Sequence, residues 1–316
     1  PGAPIRPGDT APLTVDARYL FGAPGSGLAT DGLIRIMPKR ALEAFPGYQF
    51  GVFDERARSS SDYVEGGKTD TSGQIVLSVP VPDVTITDRP YEAEVTVSVR
   101  EGSGRPVERQ ITRMLAPAGP MIGIKPIFED VVAQGTRAEF DVMAINADLA
   151  PMPMTVKWTV NRIQTRYQWY QEFGEWNWEP ITTRTRIETG EATLGSDPVT
   201  LSAPVDWGRY ELVVERMDGT YVASSSDFYA GWYAPADATS TPDTLELSLD
   251  RPGYNPGDTA QLRIVPRYAG TALITVMSNR VIDMQAVEVV EGDNLIPISV
   301  TEDWGAGAYV TAQVIR

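Results

Sequence analysis

The chain contains neither cysteine nor histidine. Without cysteine there can be no disulfide, no thiolate nucleophile and no thiolate metal ligand. The missing histidine removes the usual general base near neutral pH and the commonest zinc ligand. No apolar run reaches the roughly 18 residues that a membrane-spanning helix needs. Basic residues are in deficit, with 27 Lys and Arg against 42 Asp and Glu, for a formal net charge of −15. Such a balance repels phosphate backbones and gives no attraction to anionic lipid, so neither nucleic acid nor direct membrane contact is expected. The charge suits a long, solvated surface.

Apolar repeats at helical spacing are lacking too. In their place stand many Val, Thr, Ile and Tyr, with 28 Gly and 25 Pro to make turns. These are strand formers and strand breakers. The 316 residues are too many for one β-sandwich of ~100 residues and suit three. The expected fold class is all-β, as three tandem antiparallel β-sandwich domains.

Internal repetition supports three modules. Pro7-Gly8-Asp9-Thr10-Ala11 leads into the alternating run Leu13 to Ala17, and Pro256-Gly257-Asp258-Thr259-Ala260 leads into Leu262 to Val265. A weaker copy, Gln134-Gly135-Thr136-Arg137-Ala138, precedes Phe140-Asp141-Val142. Each is a turn feeding a half-buried strand. A second marker follows later in each copy. Asp206-Trp207-Gly208-Arg209-Tyr210 and Asp303-Trp304-Gly305, reaching Tyr309, open late strands, as Pro90-Tyr91 does in the first copy. Tyrosines at that place are expected to pack the ring inside and tie down a loop with the hydroxyl.

The modules are therefore read as 1–118, 119–238 and 239–316. Pro-rich linkers at 116–120 and 234–242 are short and semi-rigid, so neighbouring modules are expected to touch. Module one has almost nothing ahead of Pro7 to make a first strand, and module three has no strand returning after Arg316. The chain, which starts at Pro1, reads as a piece of something longer.

The oddest segment is 158–189 in module two. Arg166 to Tyr170 against Glu175 to Glu179 makes two strands around Phe173-Gly174, a protruding aromatic hairpin. Tyr167, Trp169, Tyr170, Trp176 and Trp178 are the candidate contact residues. They serve either to fill a gap between modules, or to bind a partner surface, or to stack sugars as an accessory part of a glycosidase. Glu172 and Glu175 are a carboxylate pair in a turn and read as a solvated face rather than acid and base. Asp70-Thr71-Ser72-Gly73 lacks the further ligands of a calcium loop and reads as a turn into a strand. Gly22 to Gly27 has no following Lys-Ser/Thr, so it is no phosphate loop but an exposed, flexible, protease-sensitive connection. No catalytic residue, metal ligand or cofactor is assigned, and the chain is not expected to be an enzyme.

An ordered set of motifs resembles bacterial alpha-2-macroglobulins along essentially the whole chain. It comprises Ala17-Arg18-Tyr19-Leu20-Phe21-Gly22-Ala23-Pro24, Thr69 to Gly73, Ile122 to Pro126, Tyr167 to Tyr170, Trp207 to Tyr210, Tyr254 to Asp258, Tyr268-Ala269-Gly270, and Asp303 to Gly305 with Ala308-Tyr309-Val310. The resemblance implies fibronectin-like macroglobulin modules within a large protease inhibitor. Such a protein is periplasmic, with the parent lipid-anchored to the inner membrane. Cleavage of a bait segment collapses it around the protease, and many members also carry a Cys-Gln thioester. With no cysteine here, thioester and bait are both expected beyond Arg316. The expected partners are target proteases, through the full-length parent, and neighbouring domains of the same chain. A cell-surface or extracellular adhesin array of sandwich repeats, binding a protein or glycan, is the alternative.

Overall fold

Three glycines open three strands in the same way. Gly8, Gly135 and Gly257 take φ of 77°, 72° and 94°, where glycine carries no steric cost. Their N–H groups donate to the carbonyls of Val81, Val205 and Val300 at 3.0, 3.0 and 2.8 Å. Those valines, each at most 4% exposed, donate in return to the carbonyls of Asp9, Thr136 and Asp258. The repeated turn is thus a reciprocal backbone clamp that sets the register of one antiparallel pair per module.

The protein is described from a computed structural model, which covers residues 4–84, 88–102, 104–172, 175–232 and 244–315, without the side chains of Trp169 and Glu172. The Phe173-Gly174 turn and the linker at 234–242 lie outside the described residues. Strands β1 (Thr10–Asp16), β2 (Ala29–Pro38), β3 (Gln49–Phe50), β4 (Ser60–Val64), β5 (Gln74–Pro80), β6 (Tyr91–Arg100) and β7 (Val107–Met114) come from module one. Module two supplies β8 (Met121–Pro126), β9 (Val131–Val132), β10 (Arg137–Ile145), β11 (Met154–Glu172), β12 (Glu175–Leu194), β13 (Val199–Pro204), β14 (Gly208–Arg216) and β15 (Ala223–Ala230). Module three holds β16 (Glu246–Leu249), β17 (Thr259–Val265), β18 (Gly270–Met277), β19 (Val281–Val289), β20 (Asn294–Ser299) and β21 (Tyr309–Ile315). Among the described residues the helical content is one 3-10 turn, Glu302–Trp304.

Each module is a pair of antiparallel sheets, as an all-β sandwich requires. One sheet of each module runs β4-β2-β6-β7, β12-β11-β14-β15 with β9 added in parallel, and β19-β18-β21. The facing sheets run β1-β5, β13-β10-β8-β3 and β16-β17-β20. Strand β3 belongs to module one in sequence yet lies in the sheet of module two.

Strand burial follows period two where one face meets solvent. In β6, Tyr91, Ala93, Val95 and Val97 are buried and alternate with half-buried Glu92, Glu94, Thr96 and Ser98. Strand β8 breaks the rule, with Met121 to Ile124 all buried. Ile122 and Ile124 face the core of module two. Met121 faces the other way, into a cluster with Leu42, Tyr48 and Phe50 of module one. A strand covered on both faces reads as continuous burial.

The tyrosine markers divide. Tyr210 is 2% exposed, stacks on Phe228, and its hydroxyl accepts the Asp206 N–H at 3.1 Å. Tyr91 is buried. Tyr309, expected inside, is 75% exposed, because Ala308, Val310, Ala312 and Val314 hold the inward phase of β21. Tyr254 performs the tie in module three: its hydroxyl donates to Asp250 at 2.7 Å and accepts the Arg251 N–H at 3.0 Å. Burial and the Asp250 carboxylate push the Tyr254 phenol up to about 12.

Two loops also have defined structure. Asp70 Oδ1 accepts the Ser72 N–H, the Ser72 hydroxyl and the Gln74 N–H at 2.7–2.9 Å, a turn that launches β5. The 22–27 segment, expected to be flexible, is instead bonded along its length. Gly25 donates to Ala17 O at 2.8 Å and Gly27 to Thr69 O at 3.0 Å, while the Thr69 hydroxyl donates to Gly25 O at 2.5 Å. Close approach explains Gly25, where a Cβ would sit 2.6 Å from Leu28 Cδ1 and 3.2 Å from the Ala17 carbonyl oxygen, while Gly22 and Gly27 take positive φ of 91° and 69°.

Candidate functional site at the module junctions and the aromatic hairpin

The junction of modules one and two is built from backbone and small hydroxyls. β3 pairs antiparallel with β8, Gln49 to Ile124 and Phe50 to Gly123. Gly123 leaves room for the Phe50 ring, whose atoms would lie 3.0 Å from a Cβ there. Beyond β3, the Gly51 N–H donates to Ser224 Oγ at 2.8 Å, and the Ser224 hydroxyl donates to Ile122 O at 2.6 Å. The Phe53 N–H donates to Ser225 Oγ at 2.9 Å, and Arg40 donates to Ser225 O at 2.5 Å. Asp88 accepts the Ala223 N–H at 3.1 Å. Burial, with Glu55 nearby, raises the Asp88 carboxyl above its ordinary range. Arg89, almost fully buried, pairs with Glu55 at 2.6 Å. The run Ser224-Ser225-Ser226, all at most 2% exposed, was not singled out from sequence. Its signal is three hydroxyls in a row inside a strand, where alternation should leave one face apolar.

Side chains make the described contacts between modules two and three. Trp207, 8% exposed, has the Arg263 guanidinium 3.3 Å from its ring centroid. Its indole N–H donates to Glu246 Oε1 at 3.2 Å. Glu246 also pairs with Arg263 at 3.0 Å, and Asp293 pairs with the same guanidinium. Burial lowers the Arg263 pKa, and the two carboxylates oppose that shift. Trp232 meets Trp207 edge-on, 5.7 Å between centroids. Gly231 is required beside it, since a Cβ there would come within 2.6 Å of the Trp207 ring.

The hairpin joins both junctions. β11 and β12 pair from Met154 with Leu194 to Glu172 with Glu175, around a register shift at Val160/Asn161. Strand β14 supports β11 only as far as Ile163, so the rest projects as a two-stranded ribbon. At its base Arg184 pairs with Glu211 at 2.9 Å and with Asp54 of module one at 2.5 Å. Farther out, Tyr167 lies under the Arg267 guanidinium of module three, 4.5 Å from the ring centroid. Pairing of Tyr167 with Pro180 and of Gln171 with Trp176 places these, with Trp178, on one face, and Tyr170 with Asn177 on the other. Tyr167 and Trp178 meet edge-on at 5.2 Å. Trp176, Trp178 and Tyr170 are 66%, 40% and 39% exposed. Glu172 and Glu175 are cross-strand partners at the tip. Among the described residues no group of three or more acidic, Cys or His side chains is placed to hold a metal.

Comparison with known proteins matches each module to a family model. Residues 1–117 match the bacterial alpha-2-macroglobulin MG5 domain, 123–232 match bacterial macroglobulin domain 6, and 245–316 match the alpha-2-macroglobulin bait region domain. An alpha-2-macroglobulin of Xylella fastidiosa is 32% identical over 96% of this chain and 19% of its own length. The native conformation of the Escherichia coli alpha-2-macroglobulin superposes with TM-score 0.65 at 25% identity, over 99% of this chain and 21% of that one. The Salmonella protein reacted with methylamine gives 0.64 at 27% identity, with the same coverage. The chain therefore spans about a fifth of the length of the proteins it matches. One expectation is corrected: the bait-region domain falls within the chain, at module three, rather than beyond Arg316. Its strands follow the same sandwich pattern as its neighbours, so periodicity could not mark it out. The adhesin reading finds no support in these matches. Three consecutive domain models and relatives along the full chain agree, and the protein belongs to the bacterial alpha-2-macroglobulin family.

Proposed function

We propose that this chain is the scaffold on which a bacterial protease trap mounts its bait-region domain. The observation that carries this reading is the match of 245–316 to a bait region domain, held against module two through Trp207 and Arg263. Modules one and two form the fixed support, and cleavage in the bait region of the parent releases a rearrangement that encloses the protease. The chain itself performs no chemistry in this scheme. The parent works in the periplasm, anchored by lipid to the inner membrane, as a defence against foreign proteases.

Trapping has a distinctive kinetic signature. The parent protein, incubated with an endoprotease in slight deficit, should be cleaved in the bait region. It should then abolish hydrolysis of a large protein substrate while sparing a small chromogenic peptide. The isolated chain should inhibit neither. Equal loss of activity on both substrates would mean blockade of the protease active site and sink the trapping reading.

A further inference from the structure

The aromatic face of the hairpin continues outward from a contact the chain already makes. Arg267 stacks on Tyr167 at 4.5 Å, Trp178 packs edge-on against Tyr167 at 5.2 Å, and the ribbon then carries Trp178 and Trp176 into solvent on the same face. From 167 to 183 the sequence has no Lys or Arg, while Glu172, Glu175 and Glu179 all lie at the tip. A guanidinium suits such a surface, because it stacks flat on indole, is more weakly hydrated than ammonium, and is attracted by the acidic charge across the thin ribbon. Aromatic side chains on a paired ribbon are also held in place before binding, which lowers the ordering cost.

We propose that this face is a docking surface for an extended, arginine-bearing segment of a partner protein. The segment lies along the ribbon with its arginines over Trp178 and Trp176, repeating outward the stack that Arg267 makes on Tyr167. Glu175 and Glu179 alternate with Trp176 and Trp178, so they face the other side of the ribbon and add negative potential from there, within a Debye length. The surface is a property of this chain, whether or not the parent traps proteases.

The test is calorimetric titration of the whole chain with a Gly-Arg repeat peptide, its Gly-Lys and Gly-Gln analogues, and a neutral oligosaccharide. The arginine peptide should bind best, the lysine peptide more weakly, and the other two not at all. The double change Trp176→Ala with Trp178→Ala should weaken arginine-peptide binding about tenfold. Replacement of both by Tyr should nearly preserve it, and Glu175→Gln with Glu179→Gln should weaken it only about threefold. Undiminished binding by the double Ala variant would overturn the proposal, since attraction would then come from the net charge alone. So would Tyr variants as weak as Ala, arginine and lysine peptides binding alike, or binding of the oligosaccharide in place of the peptide.

Discussion

The two junctions solve the same problem with different materials. Between modules one and two, β3 adds itself to the edge of another module's sheet, and Ser224 and Ser225 carry backbone bonds across. A shared apolar cluster of Phe50, Met121, Met143 and Ile145 seals the contact. Between modules two and three, contact rests on one guanidinium between an indole and two carboxylates, beside the Tyr167 and Arg267 stack. Strand addition leaves no freedom of register, because sliding by one residue would turn Phe50 away from its cluster. A stack of side chains keeps its attraction through small rotations. The bait-region domain is thus held by side-chain contacts, whereas the module beside it is joined to module one by strand addition.

Substitutions at four positions would break or sharpen that contrast. Phe50→Ala removes a fully buried ring from the shared cluster and should cost about 3–5 kcal/mol. Chemical denaturation should show modules one and two unfolding together in the native chain and separately in the variant. Ser224→Ala strands the buried Gly51 N–H and Ile122 carbonyl, with an expected cost of about 1–3 kcal/mol. A cost near zero would mean the hydroxyl bridges are incidental to the joint.

Arg263→Ala should cost about 1–2 kcal/mol and give module three its own calorimetric transition, leaving the first two modules unchanged. Arg263→Lys keeps the charge but loses the planar stack, so it should recover less than half of that loss. If instead the whole chain melts at a lower temperature as one unit, the second joint is as tight as the first. The smallest effect belongs to Asp88→Asn. The Asp88 carboxyl is raised in the fold by burial, so folding favours its neutral form, and stability is lost as pH rises through its titration. Asn removes that loss, and melting at pH 7 should rise by about 1–2 °C. At about pH 3, below the ordinary carboxylate range, wild type and variant should coincide.

The readings that survived rest on local rules. The Pro/Gly turns at 8, 135 and 257 were legible because positive φ and alternation are written into a few adjacent residues. The hairpin was legible as two paired strands, 166–170 and 175–179, because alternating aromatics flank a short turn signal, while its register, Trp169 against Trp178, came from the structure. Tyr309 misled because a one-residue change of phase in β21 reverses the face, and no local signal reports it. The segment at 22–27 misled because its bonds run to Thr69 and Ala17, partners that composition cannot reveal.

The sequence by itself determined the all-β class, the three-module repeat, the absence of thiol and imidazole chemistry, and the family. All of these follow from residue type and short-range order. Tertiary structure alone decided that β3 leaves its own module, that Ser224 and Ser225 are buried at a joint, and that Arg263 lies on Trp207. Each joins residues far apart in the chain, and the energy of such contacts depends on which surfaces meet after the modules have folded.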